Sequence, residues 1–71
     1  MMKQQHNETE QQLLLTIPQT AGRLGISRAM VYSLIARRTG LPVIRLGRSI
    51  RVPVASLQRW IEEQEQEQRS L

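Results

Sequence analysis

Eight arginines, Arg23, Arg28, Arg37, Arg38, Arg45, Arg48, Arg51 and Arg59, stand between Gln11 and Ile61, and no aspartate or glutamate interrupts them. A guanidinium is always charged and presents a planar fork of donors that meets a phosphate, or the edge of a guanine, with two hydrogen bonds. Solvation alone is served by mixed signs. A stretch held at +8 without an acid points instead to a polyanionic partner, nucleic acid first, with an incidental solvated surface as the bland alternative. The chain ends carry the opposite charge: residues 1–10 sum to −1 and residues 62–71 to −3, which with +8 gives the net +4. The catalytic inventory is bare by comparison. There is no cysteine and no aspartate, and the one histidine, His6, sits in a polar terminal stretch without a second metal ligand nearby. No general base, paired nucleophile or metal cluster can be assembled, so neither an enzyme nor a cofactor is expected.

These arginines need a scaffold, and 71 residues allow one small domain, which buries only about 60% of its unfolded surface. Residues 1–12, polar and Gln-rich, read as a disordered leader; residues 13–62 as the folded unit; residues 63–71 as a polar, acidic tail that frays because it lacks an apolar stripe. Within the unit, Thr16 and Gln19 have capping-box spacing and Pro18 suits a first turn, so a helix opens near Thr16–Pro18, runs to Leu24 and stops at Gly25. Ser27 caps a second helix in which Val31, Leu34 and Ile35 recur at helical spacing, Arg37 and Arg38 occupy the last turn, and Gly40 and Pro42 end it. So short a connection makes the two helices pack at a steep angle.

Val43 to Val52 then alternates apolar and polar residues about Gly47-Arg48-Ser49 and predicts a β-hairpin. A three-residue loop pairs Leu46 with Ile50 and Ile44 with Val52, turning all four to the core and gathering Arg45, Arg51 and Arg48 on the outer face and tip. A two-residue turn pairs Arg45 with Ile50 and mixes both faces, so the longer loop is expected. Pro53 ends the strand, and Val54, Leu57, Trp60 and Ile61 form the apolar side of a third helix. The fold class is therefore small α+β: a two-helix helix-turn-helix, a β-hairpin wing and a C-terminal helix.

The run from Ala21 to Ile35 resembles the general helix-turn-helix pattern. Ala21 is small at the helix crossing, Gly25 supplies the turn, and Ile26, Val31 and Leu34 fill the wedge. With Leu15-Thr16-Ile17, Leu41-Pro42, Arg45-Leu46-Gly47-Arg48 and Leu57-Gln58-Arg59-Trp60-Ile61 added, residues 14–61 are similar to the excisionase family of MerR-like winged helix-turn-helix proteins. Members commonly carry an acid where this chain has Gln19 and Ser56, and both departures raise its positive charge. The resemblance implies that the second helix lies in the major groove of double-stranded DNA and that the wing touches the minor groove or backbone.

The residues support that placement separately. With Val31, Leu34 and Ile35 inward, the outer face of the second helix presents Arg28, Ala29, Tyr32, Ser33 and Arg37, with Ser27 at its N-terminus. Arg28 is the candidate base reader, its other role being a charge at phosphate level. Tyr32 has two roles open to it, contact with a phosphate or thymine methyl, or cover for the helix surface. Arg45, Arg48 and Arg51 are placed on DNA by the wing, although one charge there would also deter edge-to-edge strand pairing. Arg23 and Arg38 are phosphate contacts or solvated, Arg59 is equally a surface residue, and Trp60 and Met30 read as packing.

Three functions compete. An excisionase, or recombination directionality factor, binds beside a phage or mobile-element attachment site, bends the DNA and steers an integrase; its partners are DNA, the integrase and neighbouring copies of itself. A small transcriptional regulator uses the same fold, but MerR-type regulators add a long dimerising helix, and the residues after Ile61 lack its apolar heptads. A protein-interaction module binds an acidic partner. Apolar runs such as Leu13-Leu14-Leu15 are far short of the roughly 20 residues of a membrane span, and bacterial or phage-encoded cytoplasmic residence is expected.

Overall fold

Residues 12–38 and 40–70 are described by a computed structural model. In chain order they form β1 (Leu14–Leu15), α1 (Ile17–Leu24), α2 (Arg28–Ala36), β2 (Ile44–Leu46), β3 (Ser49–Pro53) and α3 (Val54–Ser70). His6 and the leader up to Gln11 lie outside the described residues.

Local chemistry sets both ends of α1. Thr16 Oγ1 accepts from the Gln19 amide at 3.2 Å while Gln19 Oε1 accepts from the Thr16 amide at 3.0 Å, a complete capping box that satisfies two orphan donors. At the other end Gly25 adopts φ 71°, in the left-handed region that a side chain disfavours, and Ile26 N–H reaches back to the Ala21 carbonyl at 3.0 Å. The chain thereby reverses within Gly25-Ile26-Ser27. Ser27 Oγ accepts from the Met30 amide at 3.0 Å and opens α2 at once.

α2 leaves its helical path earlier than the glycine and proline downstream suggest. It ends at Ala36; Arg37 is the C-cap, with an extended ψ of 151°, so neither Arg37 nor Arg38 lies in the last helical turn. The reason is the Leu34 carbonyl, which accepts from the amides of Arg37 (3.4 Å) and Leu41 (3.1 Å) and holds Gly40 and Leu41 back over the helix end. Gly40 lies so close to that carbonyl that a Cβ on it would overlap the oxygen.

The sheet is antiparallel in the order β1-β3-β2, with Leu14 opposite Pro53 and Leu15 opposite Val52. β1 escapes prediction because two residues cannot display an alternation; only β3 beside it makes it a strand. Leu15 and Val52 meet Ile17, Ala21, Val31, Leu41 and Leu57 in one core, with Leu24, Ile26, Leu34, Ile35, Val43, Ile50, Val54 and Trp60 packed around it. Full burial of one such aliphatic side chain stabilises by about 1.5–3 kcal/mol, so this small set carries most of the fold. Thr20, the buried polar residue here, donates its hydroxyl to the Thr16 carbonyl at 2.8 Å. Trp60 packs as expected, although its Nε1 is buried without a hydrogen-bond partner among the described residues.

The hairpin corrects the expected register. Ile44 pairs with Arg51, Arg45 with Ile50 and Leu46 with Ser49, leaving a two-residue turn of Gly47-Arg48. Gly47 has φ 64° and no non-glycine residue among the described ones has a positive φ, the pattern of a type II′ turn whose twist matches paired strands. Val43, Ile50 and Val52 consequently turn to the core, whereas Ile44 and Leu46 are exposed. Arg45 and Arg51 occupy opposite faces rather than one. A glycine at the first central position is the sequence signal for this turn, whereas the alternation by itself favours the longer loop that buries four aliphatics.

Past Ile61 the composition predicts fraying, yet α3 continues to Ser70. Glu, Gln and Arg are good helix formers, Glu65 precedes Arg69 at the favourable four-residue spacing, and a helix already nucleated by the packing of Leu57 propagates at little cost. Among the described residues no helix is long and apolar enough to cross a membrane.

Candidate nucleic-acid interface

The candidate surface has two parts, the outer face of α2 and the wing. Val31 fixes the orientation of α2 because it is wholly buried. At 100° per residue, Ala29, Ser33 and Ala36 then lie opposite Val31 and form the outward crest. This crest is low. Arg28 and Tyr32, one helical turn apart, stand on one shoulder, and Met30 and Arg37 on the other. Tyr32 is 53% exposed and Met30 46%, so Met30 is not the packing residue expected, and the core is closed without it. A flanking methionine is apolar and easily mistaken for core; only its angular distance from Val31 distinguishes it.

Arg28, Ala29, Tyr32 and Ser33 are brought together on exposed α2, with Ser27 at its start and Arg37 just past its end. Ser27 is exposed, but its oxygen already accepts the Met30 amide, so its first duty is to the helix. Arg23 is exposed on α1 and Arg38 in the loop after α2. On the wing, Arg45 and Arg48 are exposed, while Arg51 is half-buried and lays its Nη1 against the Ile50 carbonyl at 2.9 Å. Arg59 donates to Ser56 Oγ at 3.4 Å on α3.

No acidic side chain neutralises these groups within the described domain body. The described acids, Glu62, Glu63, Glu65 and Glu67, are all on the distal half of α3. The outer face of α2 and the wing are thus joined through a body whose described residues carry arginines and no acid, an arrangement that favours an anionic partner. Comparison with known proteins accords with this geometry. The sequence model of a family described as a helix-turn-helix domain, a family of excisionase-like DNA-binding domains, matches residues 14–65, well over half of the chain.

The chain belongs to this family.

The helix-turn-helix match spans every element, from β1 through the first three turns of α3. Three helices and a three-stranded antiparallel sheet make this member a winged helix-turn-helix, and the family makes it a DNA-binding protein. No curated protein and no solved structure matches the chain.

Proposed function

We propose that this helix-turn-helix protein reads a specific DNA site through α2 and the wing, and that it acts as an excisionase: a recombination directionality factor that binds and bends attachment-site DNA to steer an integrase. The observation that carries the DNA-reading half is the low crest of Ala29, Ser33 and Ala36 between arginine-bearing shoulders. A major groove about 12 Å wide admits a helix, and small outward side chains let its backbone approach the base edges while Arg28 reaches a guanine and Arg37 a phosphate. Ser27, Ala29, Tyr32 and Ser33 complete that contact. Arg23, Arg38, Arg45, Arg48 and Arg51 bind the flanking backbone, and the wing lies over the adjacent minor groove.

The excisionase half draws on the excisionase-like family whose model the chain matches. DNase footprinting over an attachment region tests it: several adjacent protected sites flanking a recombinase core, with the DNA bent, are expected. A single promoter operator would make the chain a transcriptional regulator instead. Titration against random duplex at two salt concentrations tests the shared premise, since binding that ignored salt would remove it and favour an acidic protein partner.

A further inference from the structure

The feature least explained by the fold is the outer face of the wing. Ile44 is 38% exposed and Leu46 54%, two residues apart on β2 and therefore on the same side of the sheet. Aliphatic residues gain by burial, and a hairpin of these same residues with one more in its loop would hide both. The Gly47 turn instead holds them outward. Around them the charge is uniform: Arg51 stands directly opposite Ile44, Arg48 follows in the turn, and Arg45 lies between the two in sequence on the other face.

We propose that Ile44 and Leu46 form an apolar ridge that enters the minor groove of duplex DNA and packs on its deoxyribose walls, while the three arginines reach the phosphates on either rim. The inference rests on the DNA-binding reading above and adds to it the one occupant that suits both chemistries of the patch. A second copy of the chain stacked face to face would set Arg51 against like charge, and an apolar protein groove would strip water from the guanidinium without replacing it. The minor groove has the required form: about 6 Å wide, sugar carbons along its walls, and anionic edges. Apolar side chains are used in this groove by other minor-groove binders.

The test uses the full chain and the double variant Ile44→Thr, Leu46→Thr, which places a strand-favouring β-branched residue at both exposed positions. Two duplexes of one random sequence are compared by fluorescence anisotropy, the second with every guanine replaced by inosine. Inosine lacks the amino group that projects into the minor groove and leaves the major-groove acceptors unchanged. The wild-type chain is expected to bind the inosine duplex several-fold more tightly. The variant should lose that preference and bind the inosine duplex about tenfold more weakly, as removal of one to two buried aliphatic contacts implies, with an unaltered salt slope because no charge is removed. Its melting temperature should match that of the wild type or exceed it. An inosine preference retained by the variant, or equal affinity of both proteins for each duplex, overturns the ridge and leaves DNA binding intact. A wild-type chain that binds neither duplex at low salt overturns both. Self-association of the wild type that the variant abolishes, seen by sedimentation, assigns the face to a second copy and also overturns it.

Discussion

At the scale of single residues, the proposed DNA contacts assign Arg28 to a base edge and the wing arginines to phosphate. Arg28 begins α2 beside the low crest, whereas Arg48 sits in the turn of the wing. Arg28→Ala is expected to relax base preference at one position by about 1–3 kcal/mol, read as a flattened profile over a set of mutated sites. Arg48→Ala should weaken every sequence alike and reduce the slope of log K against log salt by about one. The reverse pattern would exchange their roles. The glycines differ in a comparable way. Gly25 needs only its left-handed backbone, with open space around a Cβ, so Gly25→Ala should cost about 1–2 kcal/mol. At Gly40 a Cβ would meet the Leu34 carbonyl, which already holds two amides and cannot withdraw freely, so Gly40→Ala should cost about 3 kcal/mol. Denaturant unfolding of the two variants compares them directly; a Gly40→Ala loss no larger than that of Gly25→Ala would mean that the loop yields.

At the scale of elements, what was legible in the sequence was what neighbours a few residues apart determine. The capping box of Thr16 and Gln19, the Gly25 turn and the Ser27 cap place α1 and α2 within a residue of their observed starts. The wing was less legible because its alternation fits two loops that differ by one residue, and each step of register exchanges the faces. Every candidate side chain on α2 survived as a surface residue, while on the wing Arg51 moved away from Arg45 and Ile44 and Leu46 moved out of the core. The Ser27 cap also separates a structural duty from a binding one. Ser27→Ala removes the acceptor of the Met30 amide and should cost about 1 kcal/mol of stability. Ser27→Asp retains an acceptor and places a negative charge where the helix dipole favours it, so stability should hold or rise. That same charge would face phosphate if the N-terminus of α2 abuts the backbone, and DNA affinity should fall about tenfold. Paired melting and binding measurements decide: an Asp variant as tight as wild type would take this helix end off the DNA.

At the scale of the whole molecule, charge is segregated along the chain. The body holds eight arginines and no acid, and the distal half of α3 holds Glu62, Glu63, Glu65 and Glu67 with Arg69. Such an arrangement makes the molecule a dipole as well as a cation, and the two act over different distances. Contacts between arginines and phosphates are local and determine the salt slope. The glutamates act on approach, opposing the attraction that brings the body to DNA and disfavouring encounters that lead with α3. Replacing all four by glutamine raises the net charge from +4 to +8 (+4 plus four removed negatives) while keeping a good helix former at each position. If the acids lie off the DNA, stopped-flow association with random duplex should accelerate several-fold at low salt. The advantage should shrink as the Debye length falls to about 8 Å near physiological ionic strength. Dissociation should change little, because no side chain proposed to touch the DNA has been altered. A change carried mainly by dissociation would instead put the acidic turns of α3 against the DNA in the complex, and the bound face would extend beyond α2 and the wing.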